Sequence, residues 1–183
     1  MRDIVERYEI ERPSVLSELT EDLCSSIDSL TNANRVSRTL KSVKGVPVDN
    51  ETVAAYLNHL TESFLFRCAR RFDDKGKRYF EFPSKYYCED VGLRNARLNL
   101  RQQEETRLME NVVYNELVAR GYAVDVGVVE VSEKGGDGKN HRKKVEIDFV
   151  ATKAPVQVYI QYNPNCADGT ERQRRRHGVS EPE

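Results

Sequence analysis

At 183 residues, with 38% hydrophobic and 32% charged side chains and a net charge of −1, the chain is long enough for one ordinary domain or two small ones, each with a modest core. No apolar run approaches the roughly 20 residues that cross a bilayer, and the stretch from Met1 to Glu6 has no secretory h-region, so the expectation is a cytoplasmic protein with no membrane partner. Cys24, Cys68, Cys88 and Cys166 stand far apart, without a C-x-x-C pair and away from His59, His141 and His177, which predicts reduced structural thiols rather than a zinc site.

The near-neutral total hides an asymmetry. Residues 1 to 66 hold 7 Lys/Arg against 11 Asp/Glu, and residues 67 to 107 hold 11 against 7. A local basic surplus of that size suits a solvated surface or contact with a phosphate backbone.

From Pro13, the positions Val15, Leu16, Leu19, Leu23 and Ile27 repeat at helical spacing, with the proline suited to a first turn. A second helix is predicted from Thr31 or Asn32, with Ala33, Val36 and Leu40 apolar, ending at Gly45. After the extended Val46-Pro47-Val48, Asp49 or Asn50 caps a third helix carrying Val53, Tyr56, Leu57 and Leu60. Three helices with a tight second connection read as helix-turn-helix. Phe64 to Phe72 and Arg78 to Phe82 are rich in β-formers and flank a polar, glycine-containing turn, which predicts a hairpin and, with the helices, a winged helix. The third helix has no Lys or Arg, so it is poorly equipped to read base edges. Arg35, Arg38, Lys41 and Lys44, on the second helix and its exit, suit phosphates without specifying sequence.

A boundary is predicted near Pro83-Ser84, giving a first unit over 1–84, a second over 85–166, and a polar, basic tail over 167–183 that is expected to be disordered. In the second unit, Glu104 to Arg107 opens a long helix that closes at Gly121. Tyr122 to Val131 alternates as a strand, Ser132 to His141 is a polar loop, and Lys143 to Ala151 and Val156 to Tyr162 give two more strands. The polar loop contains Gly138-Lys139, but the G-x-x-x-x-G-K-[ST] spacing fails, so no P-loop ATP hydrolysis is expected of this chain. One helix followed by three strands is the core of the restriction-endonuclease-like fold. The fold class expected is α+β, a winged helix followed by a nuclease-like domain with a mixed sheet, shortened at its C-terminus.

Glu110 on that helix, Asp148 on the second strand and Gln161 on the third have the order of a nuclease-type metal site. Two carboxylates and an amide oxygen would hold Mg²⁺ only weakly. Asn163 stands where such a site places a lysine, and the loss of a group that stabilises developing phosphoryl charge costs about a hundredfold to a thousandfold in rate, about 3 to 4 kcal/mol. The three residues are therefore expected to be a vestigial catalytic and metal set, converging on a cleft without an ammonium group. An active enzyme would have to recruit a lysine from elsewhere, such as Lys144 or Lys153.

With these elements in place, the chain resembles the C-terminal region of a prokaryotic AAA-type ATPase family. The resemblance rests on Asp3 to Tyr8, Asn50 to Leu57, Tyr86 to Arg94, Leu108 to Asn111, Asn115 to Leu117, Arg120 to Tyr122, Glu146 to Val150 and Tyr159 to Gln161. In that family an ATPase module precedes a winged helix and a restriction-endonuclease-like domain of unknown function. The resemblance implies that Glu110, Asp148 and Gln161 fall on the nuclease-like signature, and that ATP belongs to an upstream module this chain lacks. Some relatives carry Glu-x-Lys where this chain has Gln161-Tyr-Asn163. The family also continues past the position of Asn165 through another helix and strand, whereas here a basic run, Arg172 to His177, leads to the end. An uncovered sheet edge at that point would favour self-association. The functional expectation is a non-catalytic DNA-associated or protein-docking module, with a Mg²⁺-dependent deoxyribonuclease as the alternative.

Overall fold

The computed structural model describes residues 1–72, 83–101, 104–134 and 140–163, with the side chains at 128–145 outside that description. The basic tail, Cys166, the loop at 135–139 and the second arm of the expected hairpin, Arg78 to Phe82, lie outside the described residues.

Apolar spacing builds the first layer. After a short α1 (Arg2–Arg7), α2 runs over Pro13–Ser25 and has no side-chain cap. Its register is set by burial: Val15, Leu16 and Leu19 are fully buried and Leu23 nearly so, each leucine contributing about 1.5 to 3 kcal/mol. Capping matters more in the next two helices. The side chain of Asn32 accepts the Arg35 N–H at the start of α3 (Ala33–Val43), and Asp49 accepts the Thr52 N–H at the start of α4 (Asn50–Glu62). These three helices match the sequence expectation closely. Their inner faces, with Ile4, Ile10 and Ile27, form one core.

Beyond α4, β1 (Phe66–Ala69) and β2 (Arg71–Phe72) follow within the stretch expected to be one strand. β1 pairs antiparallel with β3 (Lys85–Cys88), a strand the sequence reading did not assign, while β2 runs parallel to β4 (Ala123–Lys134). The chain from Phe66 to Phe72 therefore serves two sheets. Both pairings join the first expected unit, 1–84, to the second, and within the first unit Thr31 and Ser84 exchange backbone hydrogen bonds of 2.8 and 2.9 Å.

Two helices follow β3. The first is α5 (Val91–Arg97), and the second is α6 (Glu105–Ala119), which stops where Gly121 adopts φ +81° and the Tyr122 N–H returns to the Leu117 carbonyl. β4 then pairs antiparallel with β5 (Asn140–Lys153), and β5 with β6 (Val156–Ile160), giving the order β2-β4-β5-β6. The polar stretch read as a loop from Ser132 is instead strand as far as Lys134 and again from Asn140, because ladder pairing continues to the Lys134–Asn140 pair. A register shift between Asp125 and Gly127 lets β4 and β5 approach closely, and a Cβ at Gly127 would stand 2.8 Å from Val150. The described residues thus form a mixed α+β fold of six helices and two small sheets.

β3 joins the layers through strand alternation. Tyr86 and Cys88 belong to the helical core, whereas Tyr87 packs in a second core with Tyr114 of α6 and Phe149 of β5. Tyr87 stacks on Tyr114 with ring centroids 4.2 Å apart.

Candidate functional site

An amide clamp fixes α6 against β3. Buried Asn111 accepts the Cys88 N–H at 2.8 Å and donates to the Cys88 carbonyl at 2.7 Å, and Asn115 donates to the carbonyls of Cys88 and Glu89. Asn111 thereby repeats the two-bond exchange of a neighbouring strand. One residue earlier on α6 is Glu110, and three residues before Cys88 is Lys85, so the clamp brings a carboxylate and an ammonium together.

Lys85 Nζ lies 2.9 Å from Glu146 Oε1 and 3.6 Å from Glu110 Oε2. Lys85 is 5% exposed, Glu110 8% and Asp148 7%. Burial pushes the Glu110 carboxyl up to about 7; the Lys85 ammonium opposes that rise, and the charges of Asp148 and Asp28 add to it. Burial works against a charged Lys85, but the hydrogen bond to Glu146 and the charges of Glu110, Glu146 and Asp28 outweigh it and raise its pKa. Glu110 Oε2 is buried and has no hydrogen-bond partner among the described residues. The hydroxyl of Tyr87 is likewise buried without a partner there, and burial together with the charges of Glu110, Asp28 and Asp148 raises its pKa.

Asp148 sits on β5 beside Phe149, whose partner on β6 is Ile160. Its Oδ2 accepts two hydrogen bonds of 2.7 Å, from Gln161 Nε2 and from the Tyr162 N–H just past the end of β6. Gln161 therefore meets Asp148, as the sequence order implied. It does so through its nitrogen, as a donor to the carboxylate.

The expectation of a cleft without an ammonium is corrected by Lys85. The lysine comes from β3, a stretch to which the sequence pattern assigns no strand. Of the two substitutes considered, Lys153 is engaged elsewhere: its Nζ donates to the Arg120 carbonyl at 2.8 Å and lies 5.6 Å from the centre of the Tyr122 ring. Lys144 pairs with Glu130 in the β4–β5 ladder, with its side chain outside the described residues. Asn163 follows β6 and is exposed.

As they stand, these residues do not fit a divalent cation. Among the described residues no three His, Cys, Asp or Glu side chains stand together as a cation-holding group. The Lys85 ammonium takes the charge of Glu110 and Glu146, and Gln161 and Tyr162 turn donors toward Asp148. The arrangement can hold a buried proton and a buried ion pair.

The basic residues divide by role. Arg94, 1% exposed, donates to the Cys24 carbonyl, and Arg97 donates to the backbone and hydroxyl of Ser17, so both fasten α5 to α2. Arg67 pairs with Glu89 across β1 and β3. Just past α3, Lys44 is held by Glu18 at 3.0 Å and Glu21 at 3.5 Å, and on α3 exposed Arg35 donates to the Leu30 carbonyl. Exposed Arg38, whose Nε donates to the Asn34 carbonyl at 3.3 Å, and exposed Lys41 line a groove of about 450 Å³ with Arg12, Ser37, Pro47, Val48 and Asp49. Arg12 spans it by donating to the Pro47 carbonyl at 2.9 Å. The Asp49 carboxylate on its wall is committed to the N–H and hydroxyl of Thr52.

A family model described as a domain of unknown function, DUF8612, matches residues 1–104. The chain belongs to the DUF8612 family. The DUF8612 match takes in α1 to α5, the α3 groove and Lys85, and stops before Glu110. An uncharacterized protein of Haemophilus influenzae is 33% identical over 161 residues, covering 88% of this chain and 37% of that protein. Uncharacterized protein MJ1544 of Methanocaldococcus jannaschii is 26% identical over 165 residues, covering 88% of this chain and 34% of its own length. The chain thus spans little more than a third of the relatives it matches. No solved structure matches it. No helix among the described residues is long and apolar enough to cross a membrane.

Proposed function

We propose that this DUF8612 chain is a non-catalytic module that contacts the phosphate backbone of DNA through the groove between α2, α3 and the α3–α4 connection. The observation that carries the reading is the convergence of Arg12, Arg38 and Lys41 on one groove whose carboxylate, Asp49, is already satisfied. Three cations on an open groove suit phosphates, and α4, without Lys or Arg, adds no base readout. The winged-helix and nuclease-like readings belong to the same proposal. Three capped or core-packed helices followed by paired strands support the first, and Glu110, Asp148 and Gln161 on α6, β5 and the end of β6 support the second. A place beside an ATPase module is proposed from the family resemblance, with the greater length of both relatives leaving room for it.

The test is a gel shift at low salt. The wild-type chain should retard duplex DNA of unrelated sequences alike, and Arg38→Glu with Lys41→Glu should weaken binding about tenfold or more, a loss of at least 1.4 kcal/mol. Lys44→Gln should leave it unchanged, because that ammonium is held by Glu18 and Glu21. No shift of the wild-type chain would overturn the DNA reading in favour of protein docking.

The alternative, Mg²⁺-dependent DNA cleavage, is opposed by the same geometry, because the Lys85 ammonium takes the charge of Glu110 and Glu146 that a cation would need. Plasmid incubated with the chain and Mg²⁺ or Mn²⁺ should stay intact. Nicking that disappears in both Asp148→Ala and Lys85→Ala would establish the enzyme instead.

A further inference from the structure

Cys24 of α2 and Cys88 of β3 are free thiols, each 3% exposed, and they line the same small cavity of about 90 Å³. The cavity is not sealed: Met1 and Leu93 also line it and are 40% and 54% exposed. Its wall also carries Arg94 and Arg97, the two arginines that fasten α5 to α2, and Asp90, whose carboxylate accepts the Leu93 N–H. Arg94 donates to the Cys24 carbonyl, fixing the backbone of that thiol, and Arg97 is bound to Ser17 one turn or more away on the same helix. Cationic surroundings favour the thiolate, which is the reactive form of cysteine. The two sulfurs are close enough to interact: each thiol perturbs the other, Cys24 lowered chiefly by its contact with Cys88 and then by Arg94 and Arg97, and Cys88 raised by Cys24 and by burial. Cys24, whose carbonyl Arg94 holds, is the thiol placed to attack first, with Cys88 across the same cavity to follow.

We propose that Cys24 and Cys88 are a redox modification site, closing to a disulfide when hydrogen peroxide enters the cavity. The Cys24 thiolate attacks one peroxide oxygen; an S–O bond forms, the O–O bond breaks, and the departing hydroxide takes a proton to become water. Cys88 then loses its proton and attacks the Cys24 sulfur, so that the S–S bond forms, the S–O bond breaks, and a second water leaves. Two thiols are oxidised and one peroxide is reduced. The bond would tie α2 to a strand whose Cys88 backbone is already held by Asn111, joining the helical layer to α6 by a covalent link. Cys68 is on the neighbouring strand β1 but does not line this cavity.

The test uses the full chain and hydrogen peroxide. Intact mass should fall by two hydrogens, a peptide map should join the Cys24 and Cys88 peptides, dithiothreitol should restore the original mass, and the oxidised chain should melt several degrees higher. Cys88→Ser should stop at the first step and bind a sulfenic-acid trap at Cys24. A wild-type chain that keeps its mass, or a map that joins Cys68 or Cys166 instead, would overturn the proposal. The wild-type map decides the matter even if the variant does not fold.

Discussion

Glu110 is a carboxyl group that folding moves far from its chemistry in water. Its pKa of about 7 lies above the ordinary value of 4.5, because burial outweighs the help of Lys85. A group whose pKa is raised by folding supports the fold fully below its unfolded value, and that support is lost as pH rises through the folded value. Between about pH 5 and pH 8, the wild-type chain should therefore lose stability relative to Glu110→Gln, which cannot titrate. Thermal melts of both proteins across that window test it: the variant's melting temperature minus the wild type's should become steadily more positive. A difference that stays level would mean that Glu110 does not change its charge there. Asp148 illustrates a separate point at this scale. Its position opposite Gln161 was legible from sequence order, whereas the direction of the amide was not, because order says nothing about which end of an amide faces a carboxylate.

The decisive junction between elements is α6 on β3. Asn111→Ala removes both amide bonds and leaves the buried Cys88 N–H without its acceptor, while the Cys88 carbonyl keeps Asn115. The expected cost is about 2 to 3 kcal/mol, which for a chain of this size lowers the melting point by about 5 to 10 °C. Asn115→Ala should cost about 1 kcal/mol, because Asn111 still holds Cys88. Equal effects of the two changes in thermal melts would contradict the clamp. Sequence made α2, α3 and α4 legible, since four of the five spaced apolar positions lie on α2, Ile27 falling just past its end, and Asn32 and Asp49 mark α3 and α4 as caps. It made β3 illegible: Lys85-Tyr-Tyr-Cys88 has four residues, a charged first position and apolar contacts on both faces, so period-two alternation is masked. Missing β3 meant missing Lys85, and with it the ammonium beside Glu110.

Across the described residues, the cations serve two ends. Arg67, Arg94 and Arg97 are spent on joining elements, and Arg12, Arg38 and Lys41 are left facing a groove. The acid cluster is balanced from within, by Lys85 on one side and by Gln161 and Tyr162 on the other, so among the described residues the groove is the place we propose for a polyanion. Counterion release makes that claim quantitative, because about three phosphate contacts predict a slope of about −2.7 for the logarithm of the binding constant against the logarithm of salt concentration. The most direct measurement is that slope for the wild-type chain beside Arg38→Glu with Lys41→Glu. A steep wild-type slope that falls to about −1 in the double variant is the result expected; binding that ignores salt, or a slope the double variant leaves unchanged, would contradict it.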